Sequence, residues 1–430
     1  MNILVIGGGG REHALVRSIR RSSIVKRVWC APGNAGIARD ADCPNLDIED
    51  QPTFLRWIRR NKIDLTVIGP EKPLTMGLSD KMEQEGHRVF GPSMAAAEIE
   101  SSKVFAKEFM ARHEIPTADF QVFESAREAK DHLRHQEDRP MVVKADGLAA
   151  GKGVMVCAGR EEALDAVNEI MEKGAFGEAG RKIVIEDRLT GPELSIFVLT
   201  DGYDMKLLPT CRDYKRAGDG DVGPNTGGMG AYSPVDNVGE EILRDVEHRI
   251  LQPTLRGLAA EGRPYRGVLY AGIMMTEQGP MVLEFNARFG DPEAQIILPL
   301  LSRSLLEEMA SIAEGSLTSG ELDWHDGCSV GVVACSEGYP GAPVVDRKVK
   351  GIEKAEALEG VQVLHAATRK APRRTVLTSG GRVLTVVAQG TDKENARARA
   401  YEAMGLIEFE GMYYRQDIAG ENQKIVASES

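Results

Sequence analysis

Positive charge is what this 430-residue sequence is short of: 53 lysines and arginines face 65 aspartates and glutamates, a formal net charge of −12. A surface with that balance does not hold nucleic acid by neutralising its phosphates, so no nucleic-acid partner is expected. A small phosphorylated ligand needs only a few local cations and stays possible. No apolar run nears the ~20 residues required to span a bilayer, so no membrane partner is expected either. The chain enters an apolar stretch at residues 2–6 with no charged, apolar and small-residue leader before it, and none is expected. Six cysteines (Cys30, Cys43, Cys157, Cys211, Cys328 and Cys335) are scattered, with no Cys-x-x-Cys pair and no zinc spacing. They predict small buried thiols in a reducing, cytoplasmic compartment and argue against a disulfide framework. Internal repeats and low-complexity tracts are absent as well.

What is present is an ordinary globular composition, 42% hydrophobic and 27% charged, in a chain too long for one core. Residues 1–102 alternate apolar runs (3–6, 27–31, 65–68, 89–90) with amphipathic helices (12–22, 53–61, 78–85), each run ending in glycine or proline turns. That rhythm predicts βαβ units and a parallel sheet, with ligands beyond the carboxyl ends of its strands. Residues 103–325 mix helices (103–112, 161–173, 240–260) with strands (141–145, 182–186, 194–199, 268–275, 281–285) and a glycine-rich loop at 218–230, an α+β pattern. Residues 326–430 carry short strands (328–336, 362–368, 382–388) and one helix (393–404), and predict a small β-rich domain. The expected fold class is a multidomain α/β and α+β protein.

Gly7-Gly8-Gly9-Gly10 follows the first strand and precedes a helix, so backbone amides and a helix N-terminus offer an anion site. A dinucleotide fingerprint fails here, because Glu12 and His13 stand where its third glycine belongs. The loop reads as a monophosphate cradle, the plainer alternative being a tight strand–helix turn. Further on, Lys144 ends an apolar strand and Gly151-Lys152-Gly153-Val154 closes a small-residue loop. This is no Walker A sequence; a strand lysine beneath a mobile glycine loop can hold and cover nucleotide phosphates. Lys103 follows the cap Ser101-Ser102, in a helical turn whose dipole opposes a cation, with Lys107 one turn along. Beyond the strand at 182–186, Glu193 could accept from ribose hydroxyls and the backbone of residues 186–189 could meet an adenine edge, though single surface carboxylates are common.

The densest constellation is residues 284–295. At period two, Glu284, Asn286 and Arg288 share one strand face, and Leu283, Phe285 and Ala287 the other. A carboxylate, an amide and a guanidinium in a row suit a magnesium nucleotide: the metal takes one or two protein oxygens, and arginine forks onto phosphoryl or carboxylate oxygens. Gly290, Asp291 and Glu293 follow in a sharp turn that offers two more acids.

Together these residues resemble the ATP-grasp superfamily and, in detail, the phosphoribosylamine–glycine ligase family. The resemblance covers essentially the whole chain. It rests on Gly8-Gly9-Gly10-Arg11-Glu12-His13-Ala14, Ala31-Pro32-Gly33-Asn34-Ala35-Gly36, residues 143–154, residues 223–233, and above all Arg288-Phe289-Gly290-Asp291-Pro292-Glu293-Ala294-Gln295. It implies an N-terminal (pre-ATP-grasp) substrate domain at 1–102, an ATP-grasp domain at 103–325 with a mobile subdomain near 120–192, and a C-terminal domain at 326–430. It implies ATP held by Lys103, Lys144, Gly151, Lys152, Gly153, Val154, Glu186, Asp187, Leu189 and Glu193, and Mg²⁺ or Mn²⁺ on Glu284 and Asn286. Substrate contacts would fall to Gly9, Gly10, Arg11, Glu12, Asn225, Thr226, Gly227, Gly228 and Gly290, and catalysis to Arg288, Asp291, Glu293 and Asp213. The strand preceding Glu284 lacks the extra metal carboxylate of many such enzymes. Arg212 and Tyr214 depart from the family's usual form around Asp213-Tyr214-Lys215-Arg216.

The implied reaction joins glycine to 5-phosphoribosylamine through glycyl phosphate, giving glycinamide ribonucleotide, ADP and phosphate in purine biosynthesis. A monofunctional monomer or weak homodimer is expected. The alternatives are another ATP-grasp ligase of purine metabolism, a nicotinamide-dependent oxidoreductase, whose fingerprint the loop fails, and a non-catalytic nucleotide-binding module.

Overall fold

The computed structural model describes residues 1–149 and 153–420. Strands Asn2–Gly7, Arg27–Pro32, Leu65–Ile68 and Val89–Phe90 form a parallel sheet in which the first strand lies between the second and third. Their side chains are buried on both faces, as expected of apolar runs covered on each side by helices. The helix Gln51–Arg60 starts where the Asp50 carboxylate accepts the Thr53 amide, and it buries a single stripe of Phe54, Leu55 and Ile58. The strand order reverses between the first and third strands, so the crevice for a ligand opens where Gly7 and Gly69 emerge.

The middle region holds two antiparallel four-stranded sheets. Phe120–Phe123, Ile183–Asp187, Met141–Ala145 and Val154–Cys157 form one, backed by helices Ala126–His135 and Arg160–Val167. This lobe has an apolar core of its own, including Leu133, Val143, Ile170 and Ile185. The other sheet runs Met205–Leu207, Glu193–Thr200, Gly267–Thr276, Gly279–Asn286. Two expected helices are interrupted: Arg160–Val167 continues as the π-turn Asn168–Glu172, and Glu247–Leu251 is a π-segment between Glu240–Val246 and Gln252–Ala260. In the second case Pro253 has no amide to donate backwards, which loosens the preceding turn. The expected loop at 218–230 is instead a hairpin, Arg216–Gly218 with Val222–Asn225, followed by the strand Gly230–Ser233.

Strands Arg212–Asp213, Gly230–Ser233, Cys328–Cys335, Arg382–Gly390 and Val361–His365 build one five-stranded sheet. The C-terminal strands therefore continue a sheet begun in the middle region. Helix Lys393–Met404 packs on it through the buried Ala396, Ala400 and Ala403, whose small side chains allow close approach. All six cysteines are free thiols. Among the described residues no helix is long and apolar enough to cross a membrane.

Candidate active site

Strand Gly279–Asn286 pairs with Gly267–Thr276 so that Asn286 lies opposite Tyr270 and Glu284 opposite Gly272. The register shifts between Gly272 and Ile273, leaving Leu283 as an extra residue. Alternation holds beyond that point: Phe285 and Ala287 are buried while Glu284 and Asn286 stay partly open. Leu283 is half-exposed rather than buried, because the bulge turns its carbonyl towards Lys144, whose Nζ donates to it at 3.0 Å. Burial alone would raise the Glu284 pKa, but Lys215, Lys144, Lys103 and Arg288 outweigh it and bring it down to about 2. A carboxylate kept ionised in this way, with the Asn286 amide two residues on, suits a divalent cation that draws its other oxygens from phosphates and water. Among the described residues there is no group of three or more His, Cys, Asp or Glu placed to hold a metal ion.

Arg288 does not present the open fork its sequence position suggests. Its Nη2 lies 2.9 Å from the Glu100 carboxylate and donates to Asn286 Oδ1 at 3.2 Å, Nη1 donates to the Phe289 carbonyl, and Nε lies 3.4 Å from Glu71. Burial would lower its pKa; the surrounding Glu100, Glu71, Glu293 and Glu284 raise it instead. Arg288 thus fixes the Asn286 amide and supplies positive field at Glu284.

The lysines converge from both lobes. Lys103 opens helix Lys103–Arg112 and donates to the Gly147 carbonyl at 3.2 Å. Asp146 fastens that helix to the loop, accepting from Ser102 Oγ and the Val104 amide, both at 2.8 Å. Lys144 and Lys107 sit on either side of Glu186, Nζ to carboxylate 2.5 Å in each case, all three buried. Burial lowers the Lys107 pKa to about 8, against the pull of Glu186. The Glu186 carboxylate is therefore engaged within the protein and not open to adenosine. Asp187 pairs with Arg139 at 2.6 Å beside a cavity of about 370 Å³, also lined by Pro140, Arg188 and Thr190. Leu189 is half-buried on the link to the strand that begins at Glu193, and the Glu193 carboxylate lies 3.5 Å from Lys215. The Gly153 carbonyl accepts the Ala145 amide at 2.8 Å, and Val154 pairs with Lys144. Gly151 and Lys152 lie outside the described residues.

A second cluster adjoins the first. Arg11 binds Glu12 at 2.6 Å and donates to the Phe289 carbonyl at 3.0 Å, joining the N-terminal loop to the turn at 289–293. Glu12 also accepts the Gly9 amide at 2.6 Å, so one donor of the expected phosphate cradle is already occupied. A Cβ at Gly10 would collide with Gln295, which donates to Asp291 at 2.6 Å. Arg382, from the C-terminal region, donates through Nη1 to the carbonyls of Gly227 and Asp291, each at 2.6 Å, and lies 3.3 Å from the Asp291 carboxylate. Burial would raise the Asp291 pKa, yet Arg382, Arg11 and Gln295 hold it below the usual range. Thr226 caps Lys215 O with its hydroxyl and accepts the Gly228 amide. Gly228, at φ +111°, fits where a Cβ would strike Pro292 and Asp213. Gly290 lies similarly close to Glu293, and the Asn225 strand position pairs with Arg216.

Asp213 and Glu293 behave oppositely to Asp291. Burial and the charge of Glu293 push Asp213 well up, and burial, aided by Asp291, raises Glu293. Asp213 Oδ1 is buried with no hydrogen-bond partner among the described residues. Lys215, between the clusters, is raised despite burial by Tyr270, Glu193, Glu284 and Asp213. The acids stand out in the sequence, whereas Arg382, Glu100, Glu71 and Asp146 join the site only through the fold. Only Lys215 carried a signal, two residues beyond Asp213.

Family models match three consecutive stretches: the Phosphoribosylglycinamide synthetase N domain at residues 1–100, the ATP-grasp (A) domain at 101–294 and the C domain at 329–421. The chain is 45% identical over 424 residues to the phosphoribosylamine–glycine ligase of Rhodopirellula baltica, covering 97% of each chain. It is 47% identical over 419 residues to the trifunctional purine biosynthetic protein adenosine-3 of Bos taurus, covering 97% of this chain and 41% of that one. The crystal structure of phosphoribosylamine–glycine ligase from Thermotoga maritima matches with a TM-score of 0.84 at 34% identity, covering 97% of this chain and all of the other.

Proposed function

This chain belongs to the phosphoribosylglycinamide synthetase family, and from that premise we propose that it joins glycine to 5-phosphoribosylamine at the expense of ATP, within purine biosynthesis. The products are glycinamide ribonucleotide, ADP and phosphate. The observation that carries this reading is the adjacency of two unlike clusters: a cationic face around Glu284 and Asn286, and an acid-rich junction of Asp213, Asp291 and Glu293 tied to the N-terminal loop by Arg11.

In the first step the glycine carboxylate attacks the γ-phosphorus of ATP, giving glycyl phosphate and ADP. Lys103 and Lys144 neutralise the phosphates beside Gly153 and Val154, and Glu284 and Asn286 would hold Mg²⁺, which spreads the charge of the transferring group. Leu189 and the backbone beside Glu186 and Asp187 face the base, and Glu193 the ribose. In the second step the amine of phosphoribosylamine attacks the acyl carbon, phosphate leaves, and the amine gives up a proton. Asp291, held ionised, orients the amine. The raised pair Asp213 and Glu293 is suited to take the proton, since a carboxylate with a raised pKa is a better base than an ordinary one. Gly9, Gly10 and Arg11 border the sugar phosphate, and Asn225, Thr226, Gly227, Gly228 and Gly290 shape the acceptor pocket. Arg382 joins Gly227 to Asp291 and so positions two walls of that pocket at once.

The test is ADP formation with ATP, Mg²⁺, glycine and freshly generated phosphoribosylamine, omitting each in turn. Dependence on all four is expected; turnover indifferent to glycine would overturn the reading.

A further inference from the structure

The joint between the two ATP-grasp lobes contains one more buried charge than nucleotide binding requires. Lys107 lies on helix Lys103–Arg112, whereas Lys144 and Glu186 belong to the lobe whose separate core includes Val143 and Ile185. All three side chains are buried, and each lysine is 2.5 Å from its own oxygen of the one carboxylate. Lys107 also donates to Thr117 Oγ1 at 2.7 Å, and Thr117 donates to the Val282 carbonyl at 2.7 Å, beside the carbonyl of Leu283 that receives Lys144. The triad carries a net charge of +1, and its only carboxylate is already neutralised by Lys107.

We propose that Lys107 is a positioning residue for nucleotide binding: by pairing with one oxygen of Glu186, it frees the charge of Lys144 for the phosphates of ATP. This rests on the reading of Lys144 as a phosphate ligand. Without Lys107, Lys144 becomes the sole counterion of a buried carboxylate. Drawing it towards a phosphate then leaves that carboxylate unpaired, and the nucleotide must compete with Glu186 for one ammonium group.

Lys107→Met brings the triad to zero, and Lys107→Met with Glu186→Gln restores +1. Titration calorimetry of MgADP with the full chain reads the consequence. The single variant is expected to bind MgADP about tenfold more weakly, with KM for glycine unchanged. The double variant should return to within about threefold of the parent. A structural role alone would give the opposite order, because the double variant removes more of the joint. MgADP affinity unchanged in Lys107→Met, or a double variant no better than the single, overturns the proposal. If the single variant does not fold, the double variant decides alone, and a tenfold loss there is fatal. Lys144→Met separates the premise from the inference. Unchanged affinity in that variant removes the nucleotide reading of Lys144 itself, whereas a loss there without one at Lys107 overturns only the role assigned to Lys107.

Discussion

Replacing Arg382 by methionine tests whether the C-terminal region completes the acceptor pocket. Nη1 is the common donor to Gly227 O and Asp291 O, at 2.6 Å each, and lies 3.3 Å from the Asp291 carboxylate. Hydrogen bonds involving a charged group contribute about 1.5–3 kcal/mol apiece. The Arg382 side chain is 22% exposed, so water recovers part of the loss. A destabilisation of about 2–4 kcal/mol follows, most of it from leaving the half-buried Asp291 carboxylate with one counterion fewer. The pH dependence has a definite sign. The Asp291 pKa is depressed in the folded state, so its stabilisation is present above the unfolded value near 4 and lost as pH falls through the folded value. Removing Arg382 raises the folded value, and the acid limb of the stability profile should begin at higher pH. Urea denaturation across pH measures both effects. Steady-state assays should show KM rising for glycine or phosphoribosylamine, with KM for ATP unchanged. Arg382→Lys should recover only part of the loss, because the shorter, more strongly hydrated lysine does not place its nitrogen where Nη1 lies. A loss under about 1 kcal/mol with both acceptor constants unchanged would refute the clamp.

Three other perturbations follow from the same geometry. Glu284→Gln removes the ionised oxygen while keeping the shape, and ADP release should fall by about a hundredfold with a raised Mg²⁺ requirement; turnover at ordinary Mg²⁺ near the parental rate would remove Glu284 from the metal shell. Asp291→Asn should raise KM for glycine or phosphoribosylamine about fivefold or more, and unchanged constants for both would end its assignment to an amine. His365 is buried with Nε2 unpaired among the described residues, and burial, reinforced by His13, Arg17 and Arg39, lowers its pKa to about 3. The unfolded chain therefore takes up a proton below pH ~6.5 that the folded chain refuses, so stability declines by up to about 1.4 kcal/mol per pH unit from that group as pH falls from 6.5 towards 3. His365→Asn should flatten the denaturation midpoint between pH 7 and pH 5, and an unaltered slope would show that His365 does not titrate differentially.

Local chemistry was legible in the sequence wherever it lay on one element. The alternation of Glu284, Phe285, Asn286 and Ala287 follows from the period of a strand, and the bounds of helix Lys103–Arg112 from its serine cap. The bulge at Leu283 was not legible, because it arises from the register chosen against Gly272 on another strand. The hairpin at 216–225 was hidden by glycines that read equally well as loop. Arg288 was identified but its fork misjudged, since Glu71 and Glu100 approach from distant helices. Arg382 left no trace in its own surroundings: it begins an apolar strand, and only the five-stranded sheet carries it to Gly227. Partners separated by 155 residues leave no periodic signal for a local pattern to detect.

The two clusters also explain why one cleft can serve two chemically opposed steps. Phosphoryl transfer to a carboxylate brings anions together and needs fixed positive charge, supplied around Glu284 by Lys215, Lys144, Lys103 and Arg288. Amide formation needs an uncharged amine and a proton acceptor, which the same cations would oppose. The opposition is relieved by partition: burial raises both Asp213 and Glu293, with the charge of Glu293 adding at Asp213 and that of Asp291 at Glu293, even with Lys215 nearby. Lys215, bordered by Glu284 and Glu193 on one side and Asp213 on the other, helps keep Glu284 ionised while Asp213 and Glu293 stay raised. A chain with a net charge of −12 can thus hold a polyphosphate, because a few buried cations concentrated on one wall of a cleft outweigh carboxylates dispersed in solvent.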